Sequence, residues 1–135
     1  MTLNLRVLAP DQSVYDGEAD EVILPSSTGQ LGVLTGHVSM LTALEPGVVR
    51  LRQAGAWQSI AVSGGFAEVE ANEVTVLANE AQLGSGIDLA AAEQDLEKAQ
   101  QNLAGFEGQP PSPEKVKSQF ALGRARARVS AAKGS

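Results

Sequence analysis

Residues 73–96 read Glu73-Val74-Thr75-Val76-Leu77-Ala78-Asn79-Glu80-Ala81-Gln82-Leu83-Gly84-Ser85-Gly86-Ile87-Asp88-Leu89-Ala90-Ala91-Ala92-Glu93-Gln94-Asp95-Leu96. The first part is rich in β-branched residues and alternates with period two, which predicts a strand over Glu73–Ala78. Both Val74/Val76 and Thr75/Leu77 are compatible with burial, which places that strand centrally in its sheet. After Gly84-Ser85-Gly86 the grammar changes. From Ile87 to Ala104 there is neither Gly nor Pro. Leu89, Ala92, Leu96, Ala99, Leu103 and Phe106 recur at alternating spacings of 3 and 4, the apolar seam of a helix. Asp88 is a natural N-cap and Gly105 a natural stop. One change of period along the chain predicts an α+β protein: a β part over residues 1–84 and a helical part over residues 85–135.

Upstream, glycines at 17, 29, 32, 36, 47, 55, 64 and 65 punctuate short apolar runs. Leu3-Asn4-Leu5-Arg6-Val7 alternates cleanly, and Val49-Arg50-Leu51-Arg52 does so in part. Many short strands with closely spaced turn signals indicate an antiparallel β-sandwich. Two hairpins can be placed. Gln53-Ala54-Gly55-Ala56 joins Val48–Arg52 to Trp57–Val62, and Ala71-Asn72 joins Gly65–Glu70 to Glu73–Ala78. Aromatic residues are only 4% of the chain, so the core must be built from Val, Leu, Ile and Ala.

Downstream, Gly105–Ser112 is a loop with Gly108 and Pro110-Pro111. Ser112-Pro113-Glu114 reads as N-cap, Pro at the first helical position and an acid in the first turn. A second helix is predicted from Pro113 to about Ala131, completing an antiparallel two-helix hairpin. Val116, Phe120, Gly123 and Ala127 share one narrow stripe of it. Lys117, Arg124 and Arg128 line one flank, and Lys115, Arg126 and Lys133 the other. So thin an apolar edge between two basic stripes predicts a weakly docked arm suited to an acidic partner.

The charge distribution sharpens that expectation. The chain of 135 residues has a formal net charge of −6. Residues 1–84 carry three bases against ten acids, a net of −7. From Lys115 onward there are six bases and no acid. Such sign asymmetry points to a charged partner. Catalytic and cofactor chemistry finds little support. The absence of Cys removes disulfides and thiolate ligands, and the single histidine, His37, excludes a multi-His metal site. Gly29-Gln30-Leu31-Gly32 lacks the Gly-Lys-Ser/Thr ending of a phosphate loop. Neither a basic-then-apolar leader nor an apolar run of the roughly 20 residues that span a bilayer is present.

The order of motifs is specific when taken together. They are Gly29-Gln30-Leu31-Gly32-Val33-Leu34-Thr35-Gly36-His37, Leu41-Thr42-Ala43-Leu44-Glu45-Pro46-Gly47, Val62-Ser63-Gly64-Gly65-Phe66-Ala67-Glu68-Val69, Asn72-Glu73-Val74-Thr75-Val76-Leu77-Ala78 and Leu122-Gly123-Arg124-Ala125-Arg126-Ala127-Arg128-Val129. Over nearly its whole length the chain resembles the epsilon subunits of F-type ATP synthases. The N-terminal Met1-Thr2-Leu3-Asn4-Leu5-Arg6-Val7-Leu8 and the Arg-rich tail look most like the photosynthetic-membrane branch.

The resemblance implies a non-catalytic rotor subunit of a proton-translocating ATP synthase. Its sandwich would bind the gamma subunit and sit on the rotor c-ring, with Gln30 and His37 as contacts. Its mobile helical hairpin would extend toward the catalytic alpha and beta subunits and inhibit ATP hydrolysis, with Lys117, Arg124, Arg126 and Arg128 meeting an acidic loop of beta. The membrane would be reached only through the complex, on the cytoplasmic or stromal side of an energy-coupling membrane, thylakoid by the resemblance. Three departures stand out. Thr35 replaces a common Pro, and Gln30 is neutral where the family is often acidic. Some relatives bind regulatory ATP through Ile-Asp-x-x-Arg-Ala, but Ile87-Asp88-Leu89-Ala90-Ala91-Ala92 has Ala91 in place of the Arg, so no cofactor is expected. A second reading, from the residues alone, is a stand-alone β-sandwich adaptor whose basic tail binds an acidic protein or nucleic acid. Against nucleic acid stand the acidic body and the tail's lone aromatic, Phe120.

Overall fold

The computed structural model describes residues 2–134. Eight strands come first: β1 (Leu3–Ala9), β2 (Gln12–Ala19), β3 (Glu21–Ser26), β4 (Gly29–Val33), β5 (Met40–Gln53), β6 (Ala56–Glu70), β7 (Glu73–Ala78) and β8 (Ala81–Leu83). A single 3-10 turn, Gly84–Gly86, leads into α1 (Leu89–Ala104) and α2 (Pro113–Lys133).

The hydrogen-bonded order is β2-β1-β7-β6-β5-β3-β4, with β8 on β6. Two long strands fold this single sheet into a sandwich. The N-terminal part of β5 and the C-terminal part of β6 pair in the layer of β7, β1 and β2. Their other halves pair with β3, β4 and β8 in the second layer. The sequence predicts separate strands on either side of Gly64-Gly65, but the glycines form a corner inside one strand. Both have positive φ, 102° and 134°, and a Cβ on Gly65 would lie 2.1 Å from the Leu77 carbonyl oxygen. Only glycine lets β6 turn there while staying paired with β7.

The hairpins at Ala54-Gly55 and Ala71-Asn72 form where the sequence places them, with positive φ at both central residues of each. That is the handedness a two-residue hairpin demands. The expected antiparallel sandwich contains one parallel pair, β1 with β7, because the chain circles both layers before returning beside its first strand. Its core is aliphatic: Leu3, Leu5, Val7, Val22, Leu24, Val33, Val49, Leu51, Ile60, Val62, Val69, Val74 and Val76 are essentially inaccessible.

Strand β7 is central, as its pattern predicts, between β1 and β6. Only one of its faces is buried, however. Val74 and Val76 fill the core, whereas Leu77 is 55% exposed. Leu77 stands opposite Phe66, 56% exposed, on a face that neither helix covers.

The helix ends follow their capping residues. The Asp88 carboxylate accepts the Ala91 N–H at 3.2 Å, and the Ser112 hydroxyl accepts the Lys115 N–H at 3.1 Å. Helix α1 buries Ala92 and Ala99 and half-buries Leu96 and Leu103, on the predicted seam. The stripe read for α2 is only partly correct. Gly123 and Ala127 face the sandwich, but Val116 and Phe120 are 57% and 44% exposed. Helix α2 is buried on two sides instead of one. Leu122 and Ala125 pack with Ala99, Leu96 and Leu103 of α1. Ala127, Val129 and Ala131 join Ala61 of β6, Ile87 and Ala92. The arm is therefore docked, more fully than the thin stripe predicts.

Candidate functional site

The basic arm meets the sandwich through small side chains. An added Cβ at Gly123 would stand 3.4 Å from Pro46 Cβ, an ordinary contact. With Ala127 and Ala131 it forms a stripe that lets α2 lie close to β5 and β6. The outer face of β6 beneath it is equally small: Ser59, Ala61 and Ser63 are all buried.

Close approach brings the arm's arginines to the sandwich edge. Arg124 donates from Nε to Glu80 Oε1 at 2.8 Å and from Nη2 to Glu80 Oε2 at 2.9 Å. This is the parallel fork that favours Arg over Lys for a carboxylate. One turn on, Arg128 donates to Gln82 Oε1. Glu80 lies between β7 and β8 and Gln82 within β8, so one short segment serves both arginines. The fork from Arg124 holds the Glu80 carboxyl below its ordinary range against a smaller opposing effect of burial, and Ser63 and Arg128 assist. The Arg124 guanidinium is correspondingly raised, chiefly by its bonds to Glu80, with Asp95 of α1 contributing. The carboxylate and the two arginines line a small cleft with Ala61, Ser63 and Gln82.

The opposite flank of α2 is built differently. Arg126 is exposed and borders a groove with Gln30, Pro46, Gly47 and Arg50. Arg50 donates to the Ser130 hydroxyl at 3.4 Å, and Lys133 lies along the same side. Lys117, further toward the helical turn, is exposed.

Two features of the chain's far end complete the geometry. In the loop between β4 and β5 the His37 N–H donates to the Leu34 carbonyl at 3.2 Å, and its Nδ1 lies 2.7 Å from the Val38 carbonyl. That short contact to an acceptor requires the proton on Nδ1. The Gly36 N–H donates to Asn72 Oδ1 at 2.7 Å, tying the loop to the β6–β7 turn.

Both parts of the chain match one known family. The beta-sandwich domain of the ATP synthase delta/epsilon chain matches residues 2–84, and its long alpha-helix domain matches residues 85–133. The chain belongs to the ATP synthase delta/epsilon family.

Its similarity to named members runs end to end. It is 66% identical over 133 residues to the ATP synthase epsilon chain of Synechococcus sp. (strain CC9902), covering 98% of each chain. To that of Prochlorococcus marinus (strain MIT 9303) it is 61% identical over 133 residues, covering 98% of this chain and 100% of the relative. These relatives bear out the resemblance to the photosynthetic branch in its cyanobacterial form. The fold matches a chain in the cryo-EM structure of Euglena gracilis mitochondrial ATP synthase (OSCP/F1/c-ring, rotational state 1). There the TM-score is 0.79 at 22% identity, covering 97% of this chain and 81% of that one.

In this delta/epsilon chain the residues singled out from sequence fall into three places. Arg124 and Arg128 come together on Glu80 and Gln82. Arg126 and Gln30 share the opposite groove. His37 lies in the loop that follows β4, seven positions after Gln30. Sequence reading missed Glu80, Gln82 and an exposed apolar surface. The last comprises Phe66 and Leu77 on the outer sheet face, with Leu41 on the same face of β5 and Leu34 and Val38 in the adjoining loop. The alternation of β7 held that signal, since it places Leu77 on the face opposite Val74 and Val76.

Proposed function

We infer that this chain is the epsilon subunit of an F-type ATP synthase, a non-catalytic member of the central stalk that couples rotation to ATP synthesis. The observation that carries the reading is 66% identity to an epsilon chain across 98% of both sequences. Residues 1–84 serve as the body that binds gamma and the rotor c-ring. The exposed Phe66, Leu77 and Leu41 suit the first of these roles, because an apolar sheet face of this kind marks an interaction site. Gln30 and His37 are the polar contacts proposed for the gamma or c-ring side.

Residues 85–135 serve as a regulatory arm. Released from the sandwich, α1 and α2 present Lys117, Arg124, Arg126 and Arg128 to an acidic surface of beta and oppose ATP hydrolysis. Helices of 16 and 21 residues rise about 1.5 Å per residue, a reach of roughly 55 Å if extended end to end. The chain meets the membrane through the assembled complex, and its cyanobacterial relatives favour a thylakoid setting. The full-length identity disfavours a stand-alone adaptor.

Deleting residues 88–135 tests the reading. The sandwich core draws on residues 3–83, all of which are retained, so the body should fold and still assemble. ATP hydrolysis by the complex is expected to rise. An unchanged rate would remove the inhibitory role.

A further inference from the structure

The arginines assigned to an acidic partner are already engaged by this chain. Arg124 is held by both Glu80 oxygens and Arg128 by Gln82, whereas Lys117 and Arg126 stay exposed. One guanidinium fork cannot satisfy two carboxylates in the same geometry. Any acid that takes the Nε–Nη2 edge of Arg124 must displace Glu80.

Three further observations give that exchange a direction. The segment supplying Glu80 and Gln82 is itself fixed, because the Ser63 N–H donates to the Glu80 carbonyl at 3.1 Å and β8 pairs with β6. The partner groups therefore stay in place when the arm leaves. In the apolar contact beneath α2, Ala61, Ala127 and Ala131 lie beside Ile87, Val129 and half-buried Val48, so the polar contacts act on top of a limited apolar one. The arm has no acid from Lys115 onward, so a released α2 cannot pair its own arginines within the helix.

We propose that Glu80, assisted by Gln82, is an intramolecular competitor that holds Arg124 and Arg128 in the docked arm and sets how readily the arm is released to its inhibitory target. This rests on the reading of the arm as inhibitory, and it adds the element that keeps the arm down. The competitor is a carboxylate and an amide of the sandwich itself, so docking needs no bound ligand. An acidic surface on the partner succeeds by offering Arg124 a better-placed carboxylate than half-exposed Glu80, or by engaging the exposed Lys117 and Arg126 as well.

The test is Glu80→Gln in the full chain, a change on an exposed side chain that leaves the core intact. In the isolated protein, amide hydrogen exchange across residues 122–131 should quicken roughly two- to fivefold, the range for an exposed ion pair. Exchange in β1 and β7 should not change. The charge-reversed pair Glu80→Arg with Arg124→Glu should return the protection that each single change removes. Unchanged exchange in Glu80→Gln, or no recovery in the reversed pair, would overturn the proposal. Reconstitution of Glu80→Gln into the ATP synthase then separates the two readings. Faster exchange with lower ATP hydrolysis supports both. Faster exchange with unaltered hydrolysis supports the competitor and sinks the inhibitory role of the arm.

Discussion

Arg124 and Glu80 form the best-aligned ion pair between arm and body, yet their side chains keep 42% and 56% of their surface in water. An exposed pair of this kind contributes about 1 kcal/mol or less, which suits a contact meant to be broken. It also makes docking depend on pH. Glu80 is held below the ordinary carboxylate range chiefly by Arg124, with Ser63 and Arg128 assisting, so release of the arm removes most of that effect, and Asp95 of α1 also acts on Arg124. The docked arm therefore binds fewer protons at Glu80 than the released arm does. The pair's contribution is fully present above the ordinary carboxylate range and is lost as pH falls through the lowered value. Exchange across residues 122–131 of the isolated chain should be pH-independent from 8 to 5, after correction for intrinsic rates, and rise below about 4. Glu80→Gln should show no such excess rise. Coincident profiles would mean that another acid controls docking.

At the scale of elements, what was legible was local. The hairpin turns at residues 54–55 and 71–72, both helix caps and the seam of α1 depend on neighbours within a few positions, and the sequence carries those signals in full. The two-sided burial of α2 does not, because Ala and Gly make many of its contacts beside Leu122 and Val129, and they contribute almost nothing to an apolar period. Val116 and Phe120 carry a strong period and remain exposed, since that half of α2 lacks a sandwich beneath it. Glu80 was invisible for a different reason. It lies 44 positions from Arg124, and nothing local to either residue announces the pairing. The small stripe itself yields a prediction. Gly123→Ala places its Cβ in ordinary contact with Pro46 and removes the helix penalty of glycine, about 1 kcal/mol. The gain also applies to the released helix, so thermal stability should rise by a few degrees at most. Gly123→Leu meets the Pro46 ring with a branched side chain and should undock the arm, seen as faster exchange across residues 122–131. Equal protection in the two variants would show that Pro46 and α2 are not in close contact.

For the whole molecule the consequence is a body complete without its arm. The sandwich core closes within residues 3–83, while the surface beneath α2 comprises Ser59, Ala61 and Ser63 together with Pro46, Val48 and Ile87. Release uncovers two serines and an alanine together with a few apolar groups, a smaller apolar cluster than the core, so the docked and released forms can differ by a modest free energy. The balance should then be movable from the body alone, leaving every residue of the arm untouched. Ala61→Leu provides that change. In the docked form the larger side chain must enter the packed contact with Ala127 and Ala131, an overpacking penalty of about 1–3 kcal/mol. In the released form it points into solvent and costs almost nothing. The equilibrium should shift toward release by roughly fivefold or more, since about 1 kcal/mol corresponds to that factor. In the isolated chain this appears as faster exchange in α2 with unchanged protection in β1 and β7. In the reconstituted enzyme ATP hydrolysis should fall, although Arg124, Arg126 and Arg128 are all present. Normal hydrolysis together with a demonstrably freed arm would place control of inhibition in the partner subunits instead of in the docking of this chain on itself.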